Sequence, residues 1–394
     1  MQDPAPSRIY LDNAATSWPK PEAVYSAVDD YQRNLGAPCG RSGYAEAVVV
    51  AQTVDRARRQ VARLVGLEDA THLIFTANGT DSLNLVIHGL LRAGDHAITS
   101  VVEHNSVLRP LAHLERLGQI SVTRVGCDAS GLIDPADVRA AIRPATRLIA
   151  ISHASNVTGA VQPIAVIGRV ARESGVLFLC DAAQTVGHLE VDMCQLQADF
   201  LACSGHKGLM GPLGTGVLAI RPDVAQYLDS TRQGGTGTRS EESQQPDDLP
   251  EKFEAGNLNV PGILGLGAAA DFLLERGLKT IHNDAQQLTA QLLEGFRTIP
   301  GLRVLGPATA DRRVPLVSIV LEGYDPQEVA LSLDSAYRIQ VRPGLHCAPA
   351  MHRALGTHET GGTIRFSLGE FTTAEEIDAT IEAVAEIASS EIQI

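Results

Sequence analysis

Aromatic side chains are scarce in this sequence. Trp, Tyr and Phe make up 4% of 394 residues, with a single tryptophan, too thin a supply for the rings on which single-stranded nucleic acid stacks. A surplus of positive charge is missing too. The 32 Lys and Arg face 46 Asp and Glu, a formal net charge of −14, so polyanion binding is electrostatically penalised. No apolar run approaches the ~20 residues of a membrane-spanning helix. Met1-Gln2-Asp3-Pro4-Ala5-Pro6-Ser7 carries no basic stretch followed by an apolar one, so no export signal is expected and the cytoplasm is the compartment that fits. Six unevenly spaced cysteines make no disulfide framework, and only the adjacent His346-Cys347 pairs a cysteine closely with a histidine. Nucleic acid, membrane and metal are therefore not expected partners.

What is present is a chain long enough for two domains with separate cores. A helix is expected from near Pro21, with Val24, Ala27, Val28 and Tyr31 on one face. A long one follows from about Glu46, using Val49, Val50, Val54, Ala57, Val61 and Leu64. Strands and helices then alternate to about residue 222, the pattern of a mostly parallel sheet. From Pro261 a helix leads into a smaller α+β region, with strands at 302–305, 316–321 and 363–367 and a charged closing helix. The expected division is an arm (1–20), a large domain (21–260) and a small domain (261–394). A long polar connection, 233–248, reads as a lid or interface loop.

The chemistry concentrates at strand ends. Phe200-Leu201-Ala202-Cys203 is a buried strand running into Ser204-Gly205-His206-Lys207. A lysine held there is partly desolvated, which favours the neutral nucleophile that an aldehyde cofactor requires. A strand-capping lysine is the plain alternative until Val176-Leu177-Phe178-Leu179-Cys180-Asp181 is considered. That apolar run delivers Asp181 to the same sheet edge, where open α/β sheets bind ligands. Pyridoxal phosphate needs an anion at its pyridine nitrogen; Asp181 supplies it, Lys207 the amine, and Gln184 a donor for the phenolic oxygen. Leu73-Ile74-Phe75, the turn Thr76 to Ser82 and the following helical pattern make a phosphate cradle, with Gly79 allowing close approach and Thr80 adding a hydroxyl. His104 is placed to stack on the ring and assist proton transfer, and Asn156 to contact it.

These blocks carry a resemblance. Tyr10-Leu11-Asp12-Asn13-Ala14-Ala15-Thr16, Glu103-His104-Asn105, Ser155-Asn156-Val157-Thr158-Gly159, Asp181-Ala182-Ala183-Gln184 and Ser204-Gly205-His206-Lys207 stand in order. Phe253-Glu254-Ala255-Gly256, Arg342-Pro343-Gly344-Leu345-His346-Cys347-Ala348 and Ile364-Arg365-Phe366-Ser367 follow. Nearly end to end, the chain resembles the class V, fold-type I pyridoxal-phosphate enzymes, within them the cysteine desulfurase and selenocysteine lyase group. The resemblance implies an α/β large domain with a seven-stranded, mostly parallel sheet, a smaller α+β domain, and a homodimer. It implies that Ser204 and His206 assist the phosphate, and that Arg365 grips the substrate carboxylate through its planar fork, with Arg342, Asn13 and Asn156 as further substrate contacts. After Gly256 it would place a threonine that reaches a partner's cofactor phosphate. This chain has Asn257, whose amide also donates.

Cys347 decides the sub-assignment. Sulfur abstraction needs a thiol, whereas transamination does not, and Arg342 and Arg353 nearby favour a nucleophilic sulfur. The other cysteines read as small buried hydrophobes, apart from Cys39, which stands in a glycine-rich loop like the one lining this family's substrate entrance. The expected reaction turns L-cysteine into L-alanine and leaves a persulfide on Cys347 for a protein acceptor, with Lys207 or His104 removing the α-proton. The short cysteine loop resembles the type II form. L-selenocysteine as substrate, a class V aminotransferase or lyase on another small amino acid, and a non-catalytic scaffold remain the alternatives.

Overall fold

The structure, a computed structural model, describes residues 8–40, 42–239 and 241–389. Its central sheet is built from strands that are buried on both faces, which is why they read as unbroken apolar runs. After a short arm strand β1 (Ile9–Tyr10) come β2 (Leu73–Thr76), β3 (His96–Ser100), β4 (Ser121–Val125), β5 (Thr146–Ser152), β6 (Leu177–Asp181), β7 (Phe200–Ser204) and β8 (Gly216–Ile220). Seven of these form one sheet in the order β2-β8-β7-β6-β5-β3-β4. All neighbours run parallel except β8, which is antiparallel to both β7 and β2. The mostly parallel α/β fold expected from the sequence is present.

Helices cover both faces. Pro21 caps the helix Glu22–Asp30 as expected. The helix Ala45–Leu64 buries Ala47, Val50, Val54, Ala57 and Val61, spaced three and four apart. Val49 was expected on that face; it falls off the stripe and is 44% exposed. The helix Val260–Arg276 joins the same core. Its Gly267 lies so close to Ala57 that an added Cβ would sit 2.7 Å from the alanine methyl.

The second body is a four-stranded antiparallel sheet. Its strands β9 (Leu302–Leu305), β10 (Leu316–Leu321), β12 (Arg342–Gly344) and β13 (Thr363–Ser367) stand in the order β12-β13-β10-β9. The helices Leu278–Arg297, Pro326–Tyr337 and Ala374–Ser389 close its core around Phe296, Leu333, Phe366 and Val384. The arm strand β1 pairs in parallel with β11 (Ile339–Gln340), and Asp12 bridges to Ser367. From there the arm crosses to the large sheet, where Ser17 donates through its backbone N–H to the carbonyl of His206 at 3.0 Å. Arm, small sheet and the Lys207 turn thus meet in one place. Among the described residues no helix is long and apolar enough to cross a membrane.

Candidate active site

The C-terminal ends of β5, β6 and β7 deliver Ser152, Asp181 and Ser204 to one edge, and Ser152 stands opposite Asp181 in the register. A cavity of about 230 Å³ opens above them. Gly79, Thr80, His104, Asn156, Asp181, Gln184, Ser204, His206, Lys207, Arg342 and Arg365 all line it. The sheet edge therefore gathers residues that lie almost 290 positions apart in the chain (79 to 365).

Lys207 follows β7 by three residues. Burial lowers its pKa to about 8, the guanidinium groups of Arg365 and Arg342 push the same way, and Asp181 opposes them. Asp181 is buried and accepts the backbone N–H of Ala183 at 3.0 Å. Burial raises its pKa, while that hydrogen bond and Lys207 hold it down.

An anion cradle stands at one end. The helix Gly79–Leu90 begins here, capped by Asn78, whose side chain accepts the N–H of Asp81. A Cβ on Gly79 would lie 2.7 Å from Ser204 Oγ, so only glycine lets the helix start meet the strand end. His206 adds a ring whose buried Nδ1 has no partner. Free amides at a helix start, a hydroxyl and an unpartnered imidazole nitrogen suit a phosphate. With the amine of Lys207 and the carboxyl of Asp181 alongside, the residues fit pyridoxal phosphate.

His104 caps the helix Asn105–Arg116. Its Nδ1 accepts the backbone N–H of Ser106 at 3.1 Å, with the Ser106 hydroxyl 2.8 Å away. Nδ1 being an acceptor, Nε2 carries the proton of the neutral ring. Burial, then Lys207 and nearby arginines, lower its pKa to about 4. Thr80 lines the cavity, but its hydroxyl lies 2.7 Å from that of Ser106 and so also braces His104. Gln184 donates from Nε2 to the carbonyl of Ala14 at 3.2 Å, fastening the arm and leaving its second N–H free.

Arg365 is 1% exposed. One Nη donates to the Asn156 carbonyl at 3.2 Å and the other to Asp12 at 2.8 Å. Each Nη keeps one N–H, a fork for a carboxylate entering the cavity. Across the β12–β13 pair stands Arg342, whose Nη2 lies 3.4 Å from Cys347 Sγ. Cys347 is exposed and does not itself line the cavity, but its neighbour Arg342 does. Its loop is pinned twice to the large domain: Asn156 Nδ2 donates to the His346 carbonyl at 2.6 Å, and Asn105 N–H to the Cys347 carbonyl at 2.8 Å. Both His346 (φ 47°) and Cys347 (φ 59°) adopt the left-handed backbone region, a strained setting for non-glycine residues that marks functional turns.

One contact expected in this chain's own cavity lies elsewhere. Asn13 is buried, donating to the carbonyls of Tyr10 and Ser367 and accepting the N–H of Trp18; its amide is occupied by the arm and β13, and Ala14 and Ala15 line the cavity instead. Asn257 lines a separate hollow of about 650 Å³, shared with Cys39, Arg58 and Glu254. Cys39 is half-buried there and does not line the Lys207 cavity. Three residues not singled out from the sequence also matter: Ser106 lines the cavity beside His104, while Asp12 and Glu103 hydrogen-bond to cavity residues without lining it. Asp12 and Glu103 stood in the blocks around Asn13 and His104; Ser106 falls just past the second block.

The aminotransferase class-V family is matched over residues 9–380. A probable cysteine desulfurase of Methanothermobacter thermautotrophicus is 37% identical over 96% of this chain and 94% of its own. The apo structure of a cysteine desulfurase from Thermococcus onnurineus superposes with a TM-score of 0.91 at 32% identity, covering 97% of this chain and 94% of that one. Escherichia coli cysteine desulfurase CsdA, solved as the S-sulfonic acid, gives 0.86 at 29% identity over 97% and 94%. The match spans the arm, the cavity and the cysteine loop together, and the chain belongs to the class-V aminotransferase family.

Proposed function

We propose that this protein is a pyridoxal-phosphate-dependent cysteine desulfurase that converts L-cysteine to L-alanine and carries the sulfur away as a persulfide on Cys347. The observation that carries the reading is the exposed thiol of Cys347, 3.4 Å from the guanidinium of the cavity-lining Arg342 on a loop held by two hydrogen bonds to its backbone carbonyls. Pyridoxal phosphate, when bound, supplies an electron-poor ring that accepts the electron pair released at the substrate's α-carbon.

The chain's own residues divide the remaining work. Gly79, Thr80, Ser204 and His206 hold the phosphate, and Asp181 keeps the ring nitrogen protonated. Arg365 binds the substrate carboxylate. Lys207 Nζ, with a pKa of about 8, exchanges the α-proton. His104, whose pKa is about 4 and whose Nδ1 is occupied, is a poor base and serves as the stacking ring. Cys347 Sγ attacks the substrate sulfur: an S–S bond forms, the C–S bond breaks, and the electron pair stays with carbon until protonation yields alanine.

The exposed thiol suits hand-over to an acceptor protein, and the cytoplasm is the proposed compartment. A homodimer would let Asn257 and the 233–248 connection serve the partner's cavity. The test is Cys347→Ala assayed for alanine, sulfide and keto acid from L-cysteine. Loss of alanine formation with the bound-cofactor absorption retained supports the proposal. Undiminished alanine release refutes it, and keto acid in its place means a transaminase.

A further inference from the structure

Glu103 has no part in that scheme, yet it is completely buried behind the site. It lies between β3 and the helix Asn105–Arg116, one residue before His104. One carboxyl oxygen accepts from Ser100 Oγ at 2.6 Å. The other accepts both the backbone N–H (2.8 Å) and Oγ (2.6 Å) of Ser152. Ser152 stands beside Asp181 in the β5–β6 register and lines the cavity. The buried carboxylates Glu254 and Asp199 each meet an arginine; among the described residues Glu103 meets no cation at ion-pair distance. A bare carboxylate at that depth is costly. The titratable groups facing it are Asp181 and the thiol of Cys180, both on β6. Burial accordingly raises the pKa of Glu103 to about 8, against the pull of its serine donors. A protonated Glu103 keeps both partners, with the Ser100 hydrogen bond reversed: Ser100 Oγ, which already accepts the Val102 N–H, can also accept the acid's O–H.

We propose that Glu103 is a positioning residue that works as a neutral acid, tying the turn that carries His104 to the strand end beside Asp181 and leaving the negative charge beneath the cofactor ring to Asp181 alone. The proposal rests on the assignment of His104 and Asp181 to the two sides of that ring, and it deepens that assignment.

Glu103→Gln reproduces the neutral acid: its amide oxygen accepts from Ser152 and its amide N–H donates to Ser100. Glu103→Ala removes the tie. The Gln holoenzyme should keep the pH midpoint of the bound-cofactor absorption band and a kcat/KM within about threefold of the parent. The Ala holoenzyme should move that midpoint by about one pH unit or more and lose about tenfold in kcat, with KM little changed. A Gln variant that behaves like Ala overturns the proposal, since charge would then be the requirement. The cofactor-free protein gives a second readout. With its folded pKa raised, Glu103 stabilises the fold fully below its unfolded value, and that stability is lost as pH rises through about 8. Unfolding midpoints of the parent should therefore fall relative to Glu103→Gln between about pH 4.5 and 8. Parallel profiles overturn the proposal. Neither the absorption nor the unfolding readout depends on which amino acid is turned over, so failure of the desulfurase reading would leave both standing.

Discussion

Lys207 and His104 show how one pocket separates two bases. Both are pushed toward neutrality by burial and by the arginines around them. The consequence differs because a neutral lysine is a nucleophile, while a neutral histidine with its Nδ1 occupied is a flat ring with one donor. The lowered pKa of Lys207 has a direct readout. Its neutral fraction grows as pH rises through about 8. Capture of pyridoxal phosphate by the cofactor-free protein, followed by absorbance, should therefore accelerate about tenfold per pH unit below that value and level off above it. A rate still climbing near the ordinary lysine pKa would contradict the assignment. Both residues were legible in the sequence, because the apolar run before Lys207 and the block around His104 announce strand end and helix start. Asn13 was not, since the sequence cannot tell a side chain facing a cavity from one turned into its own arm.

At the level of elements, the site depends on one close approach. The helix Gly79–Leu90 starts against the end of β7, and Gly79→Ala would place a methyl 2.7 Å from Ser204 Oγ and 3.4 Å from the β7 backbone. The helix start must then back away from the anion it faces. Cofactor affinity should fall about tenfold, a loss of roughly 1.4 kcal/mol, with the circular dichroism spectrum unchanged; titration of cofactor-free protein checks this, and unaltered affinity would refute the cradle. Buried parallel strands were readable as continuous apolar runs. The edge strand β4, with Ser121 and Arg124 exposed and Val122 and Thr123 half-exposed, and the antiparallel β8 gave weaker signals, because their place in the sheet follows from pairing rather than from pattern. The pairing of β12 with β13, which sets Arg342 opposite Arg365, is likewise a tertiary fact that spacing does not contain.

Across the whole molecule, a buried ion pair joins the outer helix layer to the sheet. Arg58 on the helix Ala45–Leu64 meets Glu254 in a two-pronged contact at 2.6 and 2.8 Å and also reaches the carbonyl of Leu73, while Glu254 accepts the N–H of Phe75. Removing one partner strands the other. Arg58→Ala should cost about 3–5 kcal/mol in urea unfolding, and Arg58→Ala with Glu254→Ala less than the sum of the two single changes. Additive losses would mean the pair is not coupled. The alternation of elements was readable along the chain, but the packing of the helix Val260–Arg276 into the large-sheet core, and the convergence of arm, small sheet and Lys207 turn on one cavity, were visible only in three dimensions. In the proposed reaction Cys347 receives the sulfur, and mass spectrometry of the holoenzyme after brief exposure to L-cysteine tests this most directly. The predicted result is a gain of one sulfur atom, located by peptide mapping on Cys347. Alanine released with no sulfur adduct, or with the adduct confined to Cys39 or Cys194, would contradict it.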